Sequence, residues 1–292
     1  MALLKGILST TLVMVSTVIV CIPLLILGPI RLVGSASVRD YLSRKFDHWV
    51  IDSWVATNRL IFRVLRLSNV HITWEGADDL SRERWYVVIS NHQSWTDILL
   101  LQTNLFGHIP PIKFFTKHQL LWIPFLGQAM WILGFPYVRR MSKAQLAKNP
   151  KLLKSDRKAT LDACERFRSH PTTVLNFLEG TRFTAAKRAT QRARFEHLLN
   201  PKIGGLSYVM SGLNNHLHKL VDITISYPQG IPTFWEFMQG LSPEVNMLIQ
   251  CRTIPSDARN DSDSEQRKIL APWIEELWRE KDQRLARPET VT

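Results

Sequence analysis

From Gly6 to Ile30 the chain runs for 25 residues without one charged side chain. At roughly 1.5 Å per residue a helix of that length is on the order of 37 Å long, enough to cross a hydrocarbon core. The small residues Gly34, Ser35 and Ala36 follow, so a cleaved signal peptide is the rival reading. The apolar region of such a peptide normally spans only about 7–15 residues, and a retained membrane anchor is the expectation. Lys5 precedes the run, whereas Arg31, Arg39, Arg44 and Lys45 follow it. The positive-inside rule then leaves the rest of the chain in the cytoplasm. Pro23 and Pro29 keep a re-entrant or interfacial helix open as an alternative.

Residues 40–67 place Phe46, Trp49, Val50, Trp54, Leu60, Ile61, Val64 and Leu65 near helical spacing, with Lys45, Arg59, Arg63 and Arg66 between them. That mixture suits a helix at the headgroup level, and equally a core helix of a soluble domain. After residue 70 the pattern becomes strand-then-helix. Trp85–Ser90, Ile112–Thr116, Phe135–Val138, Thr173–Leu178, Val221–Ser226 and Glu244–Arg252 read as strands. Thr96–Phe106, Leu152–Arg168, Asn200–Met210 and an amphipathic stretch near Glu265–Leu285 read as helices. Such alternation predicts an α/β fold with a mixed, largely parallel sheet covered by helices. The division is residues 1–69 as membrane anchor plus interfacial helix, and 70–292 as an α/β domain with a C-terminal amphipathic helix. Pro255–Ser264, rich in breakers and acids, reads as a surface linker into the amphipathic helix.

Composition narrows the function. Thirteen Phe and 10 Trp are too many for a solvated, disordered chain. Cys21, Cys164 and Cys251 are scattered with no CxxC pair, which argues against a disulfide scaffold or a zinc site and for reduced, cytosol-facing chemistry. The net charge of +12, from 37 basic and 25 acidic residues, is confined to two stretches, 139–168 and 182–202. An excess so placed points to an anionic partner: nucleic acid, membrane headgroups or a phosphorylated substrate. A pair of solvated helix faces gives the same charge pattern.

Two segments carry candidate chemistry. The strand Trp85–Ser90 runs into Asn91-His92-Gln93-Ser94-Trp95-Thr96-Asp97. A histidine just past a strand and a carboxylate at the next helix start can meet across the turn, the carboxylate fixing one ring nitrogen while the other accepts a proton. A structural histidine, with Thr96 as an N-cap and Asp97 as a first-turn acid, fits the same spacing. Phe177-Leu178-Glu179-Gly180-Thr181-Arg182 also follows a buried strand. It offers a glycine for close backbone approach, a hydroxyl, and a guanidinium that can fork onto a phosphate. A turn with a Glu179–Arg182 salt bridge is the plainer reading. Between them, Lys117 through Gly127 and Gly134 through Arg140 form an apolar, aromatic wall with a cation at each end. That wall reads as ordinary core or as the lining for a greasy ligand with an anionic head.

Taken in order, these segments resemble the 1-acylglycerol-3-phosphate acyltransferase family, and within it a bacterial inner-membrane branch. The family's motifs are N-H-x-x-x-x-D, then a segment ending G-x-x-(aromatic)-x-x-R, then F-x-E-G-T-R. Pro201-Lys202-Ile203-Gly204-Gly205 matches the P-K-x-x-G that follows the third motif in that branch. The likeness covers about residues 70–260. One departure is the fourth motif, usually V-P-hydrophobic after a strand, where Ile223–Pro228 reads ITISYP.

The resemblance implies a glycerolphosphate acyltransferase-like fold and a fatty acyl transfer from a thioester, acyl-CoA or acyl carrier protein, to lysophosphatidic acid. His92 would be the base and Asp97 its orienting carboxylate. Glu179, Gly180, Thr181 and Arg182 would form the acceptor-phosphate motif, with Lys117 and Arg140 as further phosphate contacts. It implies no metal and no cofactor, a membrane with anionic lipids as partner, and a bacterial inner membrane as location. Another lysophospholipid acceptor, a lipid hydrolase and a non-catalytic membrane scaffold are the alternatives. No helix-turn-helix, zinc or RNA-recognition signature accompanies the charge, so nucleic acid is not expected.

Overall fold

A computed structural model of the chain describes residues 1–42, 46–138, 151–259 and 263–287. At its centre lies a six-stranded sheet of order β1-β8-β7-β2-β6-β3. The strands are β1 (Asn69–Glu75), β2 (Trp85–Ser90), β3 (Ile112–Phe114), β6 (Thr173–Phe177), β7 (Leu217–Ser226) and β8 (Glu244–Arg252). All neighbours run parallel except β7 with β8. The sheet is therefore mixed and largely parallel. β4 (Thr116–Lys117) and β5 (Tyr137–Val138) pair apart from it as a short parallel ribbon.

The helices are α1 (Ala2–Val33), α2 (Ala36–Tyr41), α3 (Asp47–Val64), α4 (Thr96–Leu105), α5 (Leu126–Ile132), α6 (Lys151–Arg168), α7 (Ala185–Gln191), α8 (Ile203–Leu213), α9 (Phe234–Met238) and α10 (Asp263–Ala286). Strand β2 shows why the sheet is covered on both sides. Its residues alternate between faces: Val87 and Ile89 join a cluster with Phe167 of α6, Val209 of α8 and Trp278 of α10. Tyr86 and Val88 join another with Leu101 of α4, Ile61 of α3 and Phe237 of α9. Burial on both faces is what makes WYVVIS a continuous apolar run rather than an alternating one. Each fully buried aliphatic side chain of this kind stabilises the fold by about 1.5–3 kcal/mol.

Helix α1 does not project away from the domain. Lys5 Nζ donates to the Arg66 carbonyl at 2.7 Å, Ser9 Oγ to the Met238 carbonyl at 2.7 Å, and Trp54 Nε1 to Thr17 Oγ1 at 2.8 Å. Farther along, Cys21 and Leu24 pack with Val50 and Ile51 of α3 and with Ala129 and Met130 of α5. Its opposite face leaves Leu4, Ile7, Met14, Ile19, Ile22 and Ile26 exposed. By length and composition α1 is able to cross a membrane. Helix α3 divides in the same way, Val50, Ile51, Val55 and Ile61 being buried while Trp49, Leu60 and Val64 face out.

Several expected elements differ in extent. The strand expected at 112–116 divides at Phe115, because Thr116 leaves the main sheet to pair with Tyr137. The strand expected at 135–138 shortens to Tyr137–Val138, since Phe135 turns into the α1–α3–α5 cluster. Strand β1 was not foreseen. It is an edge strand whose side chains are nowhere fully buried, so its apolar signal is weak.

Candidate active site

β2, β6 and β7 are parallel neighbours, so their carboxyl ends open on one side of the sheet. In an open α/β sheet that is where ligand sites form. Asn91 extends the ladder there with its side chain: Nδ2 donates to the Ile225 carbonyl at 2.8 Å, and Oδ1 accepts from Ile225 N at 2.9 Å. A buried amide thus acts as one more peptide between β2 and β7 and fixes where the next residue, His92, begins.

His92 Nδ1 lies 2.9 Å from Asp97 Oδ2. The carboxylate is 1% exposed and the imidazole 12%. Asp97 Oδ2 also accepts from the backbone N–H groups of Gln93 at 2.6 Å and Ser94 at 2.9 Å, at the start of α4. The open N–H groups and dipole of a helix start favour a negative charge at that place. The His92 ring is stacked on Phe177, centroids 4.0 Å apart and planes 16° from parallel. Pinned at Nδ1 and stacked on one face, the ring points Nε2 away from Asp97, and among the described residues that atom has no protein partner.

Glu179 is not in the mouth of the site. It is 0% exposed, Oε1 accepting from His92 N at 2.7 Å and Oε2 from Leu199 N at 2.9 Å. Burial pushes its carboxyl up to about 7, against the lowering effect of those two donors. The His92 carbonyl in turn accepts from Phe183 N at 2.7 Å. Both peptide groups of the histidine are therefore held by the 179–183 turn. Farther back, Trp278 Nε1 donates to the Leu199 carbonyl at 3.1 Å, which ties the turn to α10.

Gly180 sits at φ +68°, a conformation that glycine adopts without steric cost. A Cβ there would lie 3.2 Å from Lys202 Nζ. Thr181 Oγ1 and the Arg182 carbonyl both accept from Lys187 Nζ, at 3.0 and 2.8 Å. The Arg182 guanidinium lies over the Trp95 ring, 4.7 Å from its centroid. Arg182, Lys187 and Lys202 thus gather on the turn that holds His92. Lys117 is exposed on β4, with no hydrogen bond or ion pair to any of these groups. Arg140 lies outside the described residues, as does Arg139.

Four members of this site have no role in the sequence motifs as assigned: Asn91, Lys187, Lys202 and Tyr227. Asn91 was visible within the first motif, and Lys202 within the P-K-x-x-G segment. Lys187 was one charge among several in a basic stretch. Tyr227 gave no signal beyond its place just after a strand, yet its hydroxyl donates to Asp97 Oδ1 at 2.5 Å. Among the described residues no group of three or more His, Cys, Asp or Glu is arranged to hold a metal ion.

With that geometry in place, comparison with known proteins settles the class. The Acyltransferase family model matches residues 71–227, more than half of the chain, and the chain belongs to that family of acyl-transferring enzymes. Among curated proteins it is 28% identical over 278 residues to lysocardiolipin acyltransferase 1 of Danio rerio, covering 90% of this chain and 68% of that one. It is 25% identical over 257 residues to 1-acyl-sn-glycerol-3-phosphate acyltransferase epsilon of Mus musculus, covering 79% and 65%. Among solved structures, the 1-acyl-sn-glycerophosphate acyltransferase PlsC of Thermotoga maritima aligns with a TM-score of 0.49 at 17% identity, over 93% of this chain and 97% of that one.

Proposed function

We propose that this acyltransferase moves a fatty acyl group from a thioester donor to the free hydroxyl of lysophosphatidic acid, giving phosphatidic acid. The observation that carries the reading is His92: Nδ1 is committed to Asp97 and Nε2 is left open, beside a turn bearing Arg182, Lys187 and Lys202. In this reading Nε2 takes the proton of the acceptor hydroxyl as that oxygen attacks the thioester carbonyl. The Asp97 charge stabilises the imidazolium that forms. The tetrahedral intermediate then collapses, the C–S bond breaks, and the imidazolium returns the proton to the leaving thiolate. The acceptor oxygen is itself the nucleophile, so the scheme calls for no acyl-enzyme, metal or cofactor.

The cations on the turn suit an acceptor that carries phosphate. Relatives named for 1-acyl-sn-glycerol-3-phosphate and for lysocardiolipin support that acceptor class, and another lysophospholipid is the second reading. Acyl-CoA and acyl carrier protein are both suitable donors, since each presents the same thioester. The exposed faces of α1 and α3 belong, in this reading, against a bilayer of anionic lipids. In this reading the basic residues at and beyond the end of α1 support a domain on the cytoplasmic side, and the resemblance to the inner-membrane branch supports a bacterial inner membrane.

The test is transfer by the purified protein to a panel of lysophospholipids from both donors. Lysophosphatidic acid is expected to be the best acceptor, and His92→Ala is expected to lower the rate by about 10²–10⁴-fold with vesicle association unchanged. Full transfer by a folded His92→Ala protein would overturn the mechanism. Preference for an acceptor without phosphate would overturn the acceptor assignment.

A further inference from the structure

The His92–Asp97 pair has a third partner, from the neighbouring strand β7. Tyr227 follows the carboxyl end of β7, its hydroxyl 2.5 Å from Asp97 Oδ1 and 3.1 Å from Thr96 Oγ1. Its position is built rather than incidental. The two hydrogen bonds between the Asn91 side chain and the Ile225 backbone, one donated by each, fix Ile225, two residues earlier. The Tyr227 carbonyl accepts from Gly230 N at 3.0 Å, closing the turn that follows. The ring is buried in the cluster that α4 covers.

The donors can be assigned by counting protons. An ionised carboxylate only accepts, so the single phenol proton of Tyr227 goes to Asp97. Thr96 must then donate to the phenol oxygen. The result is a chain running from Thr96 to Tyr227 to Asp97, with His92 donating to the other carboxylate oxygen. Oδ2 already takes the Gln93, Ser94 and His92 donors, whereas Oδ1 takes the phenol and, among the described residues, no other protein donor.

We propose that Tyr227 is a positioning residue that holds Asp97 in place and sets the basicity of His92, an inference that rests on the reading of His92 as the base. A hydrogen bond donated to a carboxylate draws off part of its negative charge. Asp97 then stabilises the imidazolium less than an unshared carboxylate would. Tyr227 remains a donor throughout, because burial first, and then the Asp97 charge, raise its phenol well above the usual value. The other charges around the pair come from separate elements. Glu179 lies behind the His92 backbone on the β6 turn, Lys281 of α10 acts on Glu179 from farther back, and Arg182 sits over Trp95 at the mouth. Since Glu179 titrates near 7, a rate profile alone would mix two groups, and the imidazole must be read directly.

The experiment replaces Tyr227 by Phe, keeping the ring and removing only the hydroxyl. The His92 titration is followed by NMR in protein labelled at histidine nitrogen, its signal identified by its loss in His92→Gln. The His92 pKa is expected to rise by about 0.5–1 unit. The acidic limb of kcat/KM should move upward with it, kcat falling while KM for the acceptor stays within about twofold. An unmoved His92 titration with only a lowered Tm would make Tyr227 merely structural and overturn the proposal. If Tyr227→Phe does not fold, Thr96→Val weakens the same donor from one step back. A smaller upward shift there supports the chain, and none overturns it. A wild-type protein without acyl transfer would defeat the functional reading, while the imidazole titration would still decide the role of Tyr227.

Discussion

The carboxyl end of the sheet and the apolar shelf beside α1 are built on opposite terms. At the first, Asp97, Glu179 and Asn91 are buried, each with at least two partners at hydrogen-bond distance. At the second, Trp122 is 77% exposed and Trp131 57%, with Ile123 and Phe125 also facing outward. Buried polar groups that are fully paired admit one arrangement, whereas exposed aromatic side chains admit many. The His92–Asp97 pair therefore sits where geometry is over-determined. The exposed aromatic surface is left adaptable.

Three variants test that contrast, from the largest expected effect to the smallest. Glu179→Gln replaces an acceptor at both oxygens by one acceptor and one donor, so one of the two buried N–H groups loses its partner. Displacing the His92 backbone is expected to lower kcat about 10²-fold without changing acceptor KM. The same substitution alters pH dependence. In the folded wild type the carboxyl is raised from 4.5 to about 7, so its contribution to stability is present at low pH and is lost as pH rises through that window. Denaturant titrations at pH 5 and pH 8 are expected to show this loss in the wild type and a smaller one in Glu179→Gln. Unchanged activity in the variant would remove the clamp from the account of His92.

Arg182→Ala is expected to raise KM for a phosphate-bearing acceptor about tenfold with kcat nearly unchanged, as for a charge-assisted hydrogen bond lost in ground and transition states alike. A fall in kcat at constant KM would move Arg182 to the transition state instead. The paired change Trp122→Ser and Phe125→Ser should have the least effect on chemistry. Partitioning into anionic vesicles is expected to weaken about threefold to tenfold. Transfer to a short-chain, water-soluble acceptor should stay as in the wild type. Loss of both activities together would place the shelf in the reacting centre and erase the contrast.

What could be read from the chain divides along the same line. β2 was legible because a strand buried on both faces is a short, unbroken apolar run, and β8 because apolar residues recur at alternate positions along most of it. His92 and Asp97 were legible because they are five residues apart on one turn. Tyr227 was not, since it lies 130 residues from Asp97 in sequence and only the pairing of β7 with β2 brings the two together. The inward aim of Glu179 was equally hidden. A motif shows which residues recur, whereas the direction of a carboxylate follows from the N–H groups that the fold leaves open, here those of His92 and Leu199. Helix α5 went unread because it fills the gap between the two segments read as wall, and in so short a helix the buried Gly127, Ala129 and Met130 give no clear period.

The peptide of Leu199 gives its N–H to Glu179 and its carbonyl to Trp278 of α10, while Lys281, three residues on, donates to the Ile223 carbonyl at 2.7 Å. Helix α10 is synthesised after every strand of the sheet. During translation, then, the first motif emerges early but its supports are completed only when α10 docks. The order of synthesis thus leaves the turn behind His92 without its last support until the C-terminal helix docks.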